Sequence, residues 1–373
     1  PTYPPMRREL LAVLIFLFLI LVYYRSWVQD SLGFTSRQES TIRKYPLNGV
    51  LDRSDECVIY YPKIFWSKDQ LGTPLLEGPK KFISFFQDRL TWIDELTIAP
   101  NSTILERSRN LYIEMLISML SATSFSSAEF SVQPELRKKK LTVSAFDSNK
   151  RATGLDWTYI GDTMVGRARL LNIWKLLSDV ILNNVEGDFI ETGVWRGGSS
   201  ILARGIIGAF DSNRNSYVCD SFHGLPPGTR QMNRADIGWD ETPYLEVSDQ
   251  IVASSFHRYS LMSENIIFAK GFFNATMPLI RKLNVTFSVM RLDGDLYEST
   301  VDVLYNLYDK LSVGGFIIMD DWFGFPSRTA VEDFHAVHQI ELKVEPIDSL
   351  SVYFKKETNV TVQYWRYLEN KFK

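Results

Sequence analysis

The chain has 373 residues, 45% hydrophobic and 23% charged, a globular composition with room for one large or two ordinary domains. A net charge of −3 and a pI near 5.9 leave no basic footprint, so no nucleic-acid partner is expected. Two cysteines, Cys57 and Cys219, are too few for a disulfide framework, and no CxxC or His/Cys grouping has zinc spacing.

Arg7 and Arg8 precede an uncharged run over 10–24, "LLAVLIFLFLILVYY", which Arg25 and Trp27 follow. Fifteen residues rise about 22 Å as a helix, short of a ~30 Å hydrocarbon core. Tyr23, Tyr24 and Trp27 at the interface and snorkelling arginines close part of that gap. No small-residue cleavage pattern follows, so the run reads as an uncleaved signal anchor. The basic residues before it orient a short cytoplasmic tail and transmembrane helix within 1–28, with the remaining chain in the lumen. Sequons at Asn101, Asn274, Asn284 and Asn359 agree with that side of the membrane. The expected location is the Golgi membrane, single-pass type II, with the ER membrane as second choice.

Residues 29–49 are polar and unperiodic and read as a luminal stem. Residues 50–106 are rich in aromatics and proline and read as an N-terminal extension, a small cap of unassigned role. The basic run Arg137-Lys138-Lys139-Lys140 reads as a solvated loop. After about residue 165 the pattern becomes regular. A helix is predicted over 167–182, a strand over 187–193, a helix over 199–210, and strands over 216–222, 265–273 and 286–295. The helix predicted over 299–311 places Val301, Leu304, Tyr305, Tyr308 and Leu311 on one face, with Gly314 and Gly315 where a left-handed C-cap is wanted. "FIIMDDW" (316–322) is apolar on both faces and reads as an interior strand. His335 and His338, one helical turn apart and without a third ligand, read as ordinary surface residues. Residues 357–373 read as a C-terminal tail.

Strands alternating with helices indicate an α/β fold, a doubly wound, Rossmann-like parallel sheet, whose ligand sits beyond the carboxyl ends of the strands. Several chemically suggestive residues fall there. Glu191-Thr192-Gly193-Val194-Trp195-Arg196-Gly197-Gly198-Ser199 joins a strand to a helix with G-x-x-x-G-G spacing led by an acid. That form suits a nucleoside with an amino acid tail better than a pyrophosphate. Asp220, at the end of the next strand, is placed to accept both hydroxyls of a ribose, although an Asp capping a turn reads the same way. Asp293, Asp295, Asp320 and Asp321 come from the ends of two neighbouring strands. Three meeting carboxylates call for a cation, Mg²⁺ or Mn²⁺, and a fourth remains available as a general base. Asp293-Gly294-Asp295 is also a D-x-D, and behind a signal anchor it suggests a rival, a type II Golgi glycosyltransferase with a nucleotide-sugar site.

The stretches "GDFIETGVWRGGSS", "CDSFHGLPPG", "KGFF", "MRLDGDLYESTVDVLYNLYDKLSVGGFIIMDDW" and "TAVEDFHAVHQI" resemble the macrocin O-methyltransferase (TylF-like) family of S-adenosylmethionine- and metal-dependent sugar O-methyltransferases. The likeness runs collinearly over 107–356 and includes a lid-like segment, 151–170. It implies a class I methyltransferase sheet with Asp293, Asp320 and Asp321 as metal ligands and Asp295 as general base. It also implies a cofactor site from Glu191, Thr192, Gly193, Val194, Trp195, Gly197 and Ser199, with Asp220, Ser221 and Phe222 at the ribose and adenine. Thr163 and Met164 would close over the cofactor, and Gly271 of "KGFF" belongs to the same set. The pattern departs at His335, where arginine is usual, and near Ser349-Leu350, where the family often has Trp-Thr. Topology and family chemistry together point to a glycan or glycoconjugate sugar as acceptor and leave a homodimer open.

Overall fold

The computed structural model describes residues 58–60, 103–135, 140–226, 236 and 243–372. The expected anchor over 10–24 and stem over 29–49 lie outside the described residues, among which no helix is long and apolar enough to cross a membrane.

In chain order, β1 (Val58–Tyr60) is followed by α1 (Ile104–Leu120), β2 (Phe130–Glu135), β3 (Lys140–Ala145), α2 (Ser148–Thr153) and β4 (Trp157–Thr158). Next come α3 (Arg167–Leu182), β5 (Asp188–Thr192), α4 (Gly198–Ala209), β6 (Ser216–Asp220), α5 (Asp249–Arg258), β7 (Ile266–Lys270) and α6 (Phe273–Arg281). The chain then forms β8 (Phe287–Leu292), α7 (Tyr297–Leu307), β9 (Leu311–Met319), α8 (Pro326–His338), β10 (Glu345–Pro346), β11 (Val352–Lys355) and α9 (Tyr364–Leu368). The main sheet has the order β1-β7-β6-β5-β8-β9-β11-β10. Its five strands from β7 to β9 are mutually parallel, and β1, β11 and β10 add antiparallel at the two edges. A second, three-stranded antiparallel sheet has the order β3-β2-β4.

Alternation along each parallel strand explains the layering. Phe189, Val218, Phe268, Val289 and Ile318 pack with α1, α3, α4 and α5 on one face. Their strand neighbours Ile190, Cys219, Ile267, Met290 and Ile317 pack with α6, α7 and α8 on the other. Successive side chains point to opposite faces, so burial of both gives the continuous apolar strands legible in the sequence. The predicted face of α7 is buried as expected, from Val301 to Tyr308, with Leu311 in the same cluster.

Three expectations need revision. The helix over 299–311 begins earlier, at Tyr297, and ends at Leu307 in a single 3₁₀ turn, so Gly314 and Gly315 are not its cap. They lie inside β9, where the register against β8 jumps from Phe287↔Leu311 to Val289↔Phe316. A Cβ on Gly315 would stand 2.7 Å from the Ser288 carbonyl oxygen, and Gly314 has φ +88°, so this bulge requires both glycines. The segment 50–106 is not wholly a separate cap. Its Val58–Tyr60 extends the main sheet beside β7, and its last residues open α1, where Thr103 and Glu106 form a reciprocal capping box. Within the C-terminal tail, α9 packs on α7, with Tyr367 stacked on Tyr305 at 6.1 Å. His335 is not a surface residue. It is buried against Tyr308 and Phe354, with Nδ1 2.8 Å from the Val331 carbonyl. Of the basic run, Lys140 starts β3, while 137–139 lie outside the described residues.

Candidate active site

The parallel ladder runs one residue past several strand ends. The Gly193 N–H donates to Cys219 O, Asp293 N–H to Thr192 O, Asp320 N–H to Leu292 O and Gly271 N–H to Asp220 O. The loops carrying residues 193, 293 and 320 are therefore held side by side. Gly193, with φ +91°, lies so close to Asp293 that a Cβ would overlap the Asp293 carbonyl. Three non-glycine residues nearby, Trp195, Phe222 and Asp295, also adopt left-handed backbone with φ between 49° and 59°. Such conformations cost about 1–3 kcal/mol each and collect where a site dictates geometry.

Beyond these strand ends lies a cavity of about 470 Å³. Of the residues singled out in the sequence, Thr163, Met164, Glu191, Gly193, Val194, Trp195, Ser199, Asp220, Ser221, Asp293, Asp295, Asp320 and Asp321 line it. Thr192, Gly197, Phe222 and Gly271 do not, and serve as supports. The Thr192 hydroxyl donates to Arg291 O, Gly197 precedes α4 and abuts Val252, and Phe222 stacks on Phe268.

Asp220 is already engaged. One carboxylate oxygen accepts the N–H groups of Val194 (2.8 Å) and Trp195 (3.4 Å), and the other accepts those of Phe222 (2.8 Å) and the Ser221 hydroxyl (3.4 Å). Burial raises its pKa against these donors. The acid thus fixes the glycine loop onto β6, and the turn-capping role coexists with its place in the cavity wall. An aromatic clamp braces the opposite rim. Trp157 and Tyr244 stack at 5.4 Å, and the Trp195 indole N–H donates to Tyr244 O at 2.9 Å. The Arg196 guanidinium lies 4.2 Å over Trp195 and donates to Gly161 O at 2.8 Å. The segment bearing Thr163 and Met164 is thereby fastened to the glycine loop, and Asp162 pins it to α5 by accepting from Tyr259 Oη at 2.7 Å.

The acids form the other wall. Asp293, Asp320 and Asp321 each offer a carboxylate oxygen, all within 4.8 Å of one another. Two arginines that the sequence reading did not weigh bind this group together. Arg291, fully buried in β8, reaches Glu191 (2.5 Å), Asp293 (2.7 Å) and Asp320 (2.5 Å). Arg169, from the first turn of α3, reaches Asp320 and Asp348, both at 2.7 Å. The available signal was the charge at 291 inside a strand that is apolar apart from Ser288. Burial pushes Glu191 up to about 7 against the pull of Arg291 and Ser200. Burial, then Asp293, pushes Asp295 up to about 7. Burial and the surrounding acids drive Asp321 well above the carboxylate range. Asp320 goes the other way, because Arg169 and Arg291 outweigh its burial.

The family model for macrocin-O-methyltransferase (TylF) matches residues 108–356. The chain belongs to this family. It is an O-methyltransferase that uses S-adenosylmethionine, built on the class I methyltransferase sheet. The curated demethyldecarbamoylnovobiocin O-methyltransferase of Streptomyces niveus is 37% identical over 261 residues, covering 66% of this chain and 94% of that protein. The mycinamicin III 3''-O-methyltransferase of Micromonospora griseorubida is 36% identical over 222 residues, 58% of this chain and 87% of that one. The solved structure of the O-methyltransferase NovP superposes with a TM-score of 0.60 at 37% identity, covering 67% of this chain and all of that one.

The family match does not favour the glycosyltransferase reading of Asp293-Gly294-Asp295. Of the two departures from the family pattern, His335 is remote from the cavity, embedded in the α8 aromatic cluster. Leu350 lines the cavity, and its carbonyl accepts the N–H groups of Trp322 and Phe323. One of the two departures expected from the resemblance thus lies in the wall of the site. The acid group fits a hard divalent cation: its donors are all carboxylate oxygens, and Asp321 Oδ2 is buried with no hydrogen-bond partner. Each oxygen of Asp320 accepts from an arginine, yet a carboxylate oxygen keeps a second lone pair for ligation.

Proposed function

We propose that the enzyme methylates a sugar hydroxyl on a glycan or glycoconjugate, with Asp295 taking the hydroxyl proton. The observation that carries this reading is the position of Asp295, on the cavity wall two residues beyond Asp293, with a carboxyl pushed up to about 7. A base with that pKa is matched to proton transfer near neutral pH. The activities of the relatives, on demethyldecarbamoylnovobiocin and on mycinamicin III, support a glycoside as acceptor. Asp293, Asp320 and Asp321 would hold Mg²⁺ or Mn²⁺, which when bound lowers the pKa of a hydroxyl ligand.

The chain's own residues do the rest. Glu191, Gly193, Ser199 and Asp220 would seat the cofactor's methionine and ribose, while Thr163 and Met164 cover it and exclude water. Holding the acceptor oxygen in line with the activated methyl removes much of the entropic barrier. The new oxygen–carbon bond forms as the carbon–sulfur bond breaks, and the proton passes to an Asp295 carboxylate oxygen. The signal-anchor sequence over 10–24 supports a luminal catalytic domain in the Golgi, where such acceptors are abundant.

Purified enzyme supplied with methyl-labelled S-adenosylmethionine and a panel of simple glycosides tests the reaction. Transfer that EDTA stops and Mg²⁺ restores supports the whole reading. A rate indifferent to EDTA removes the cation, and absence of transfer to every glycoside removes the sugar. Protease protection of intact vesicles checks the topology, with digestion from the cytosolic side counting against it.

A further inference from the structure

On its cavity side, α7 carries two acids that the methyl transfer described above does not use. Glu298 and Asp302 both line the cavity, one helical turn apart. Like charges at this spacing destabilise a helix, and partial burial makes them worse. Burial, with Glu298 adding to it, pushes the Asp302 carboxyl up to about 7. The chain nonetheless supplies Asp302 with a dedicated donor. The Tyr367 hydroxyl, from α9, donates to Asp302 Oδ1 at 2.9 Å. Tyr367 is itself fixed by its stack on Tyr305, and Tyr364 beside it donates to Asn306 Oδ1 at 3.0 Å. The carboxylate is thus oriented by a residue far along the chain, an arrangement that packing alone does not require.

The surroundings narrow the ligand. Phe272, Phe273 and Phe325 line the same cavity. A carboxylate beside aromatic faces suits a pyranose, which presents hydroxyls at its edge and C–H groups on its faces. Asp302 lies five helical rises, about 7.5 Å along the axis, from Tyr297 at the start of α7, and both it and Asp295 line the cavity. Among the described residues no lysine lines the cavity, and Arg169 and Arg291 are both held by acids.

We infer that Asp302, oriented by Tyr367 and flanked by Glu298, is the acceptor-recognition subsite: it accepts hydrogen bonds from the hydroxyls of an uncharged pyranose and repels carboxylated, sulfated or phosphorylated sugars. This rests on the sugar-methylating reading above and adds to it which sugars enter and what selects them.

The test uses the full chain loaded with S-adenosylhomocysteine, titrated by saturation-transfer NMR with methyl α-L-rhamnopyranoside and with methyl β-D-glucopyranosiduronate. The rhamnoside is expected to bind and the uronate to bind at least about tenfold more weakly. Asp302→Ala weakens the rhamnoside by about tenfold or more, with S-adenosylhomocysteine affinity unchanged, as loss of a hydrogen bond to a charged group predicts. Tyr367→Phe keeps the ring stack and removes only the hydroxyl. It raises KM about three- to fivefold and leaves kcat nearly constant. The inference is overturned by equal affinity for the two sugars, by wild-type affinity in Asp302→Ala, by an unmoved KM in Tyr367→Phe, or by no binding of either probe. Methyl transfer to the rhamnoside separates the two claims. Transfer with a KM independent of Asp302 overturns the subsite alone, whereas transfer to no glycoside overturns the sugar reading.

Discussion

Arg291 and Asp320 face each other across β8 and β9, with guanidinium Nη2 2.5 Å from carboxylate Oδ1, both almost wholly buried. The same guanidinium holds Glu191 and Asp293, so one cation near the carboxyl end of β8 balances acids from three strand ends. Removing one member of such a buried group strands the others. Arg291→Met is expected to destabilise the fold by about 3–5 kcal/mol, read as a lowered urea midpoint. An unchanged midpoint would mean that the acids are balanced elsewhere.

Gly193→Ala is expected to cost more than about 2 kcal/mol, because it combines an unfavourable φ with overlap at the Asp293 carbonyl. The strand ends must separate to admit the methyl, so cofactor affinity falls with stability. Calorimetric titration with S-adenosylhomocysteine checks this, and wild-type affinity would contradict the close approach.

Asp295→Asn is expected to lower kcat by about 10²–10⁴-fold, the ordinary contribution of a general base, while S-adenosylhomocysteine still binds. Normal turnover in this variant would remove Asp295 from the proposed mechanism.

Asp302 gives stability a pH dependence whose sign follows from its raised pKa. The folded carboxyl titrates at about 7, and an unfolded one near 3.9. Between those values the folded state holds a proton that the unfolded state has lost. Stability from this group is therefore fully present below about pH 4 and is lost as the pH rises to about 7. Asp302→Asn still accepts from Tyr367 and should flatten that decline, leaving the variant more stable at pH 8 by a few degrees in melting temperature. Parallel melting curves for the two proteins at pH 5 and pH 8 decide it, and an identical difference at both pH values argues against a raised pKa.

The sheet was readable because its parallel strands are buried on both faces, which leaves long apolar runs such as "FIIM" before Asp320. The clustering of Asp293, Asp320 and Asp321 was readable for a related reason: successive strands with a returning helix must be neighbours, and their ends must meet. What escaped were residues whose roles depend on distant partners. Arg169 finds Asp348 across 179 positions, and no local pattern encodes that pairing. Asp302 finds Tyr367 across 65 positions, and nothing local marks that pairing either. Gly314 and Gly315 were misassigned because glycine after a helix and glycine in a strand bulge look alike in one dimension. His335 was misjudged because a polar type was weighed more heavily than its aromatic neighbours Phe334 and Tyr308.

The short strand Val58–Tyr60 has a practical consequence. Its register against Lys270, Ala269 and Phe268 fills one lateral border of the main sheet. A chain trimmed to the family-matched residues 108–356 would leave Ile266–Lys270 with a bare row of amide donors and carbonyl acceptors. That row is a template for another molecule's strand. Trimmed enzyme should therefore self-associate, and a preparation that keeps residues 58–60 should show less light scattering at the same concentration.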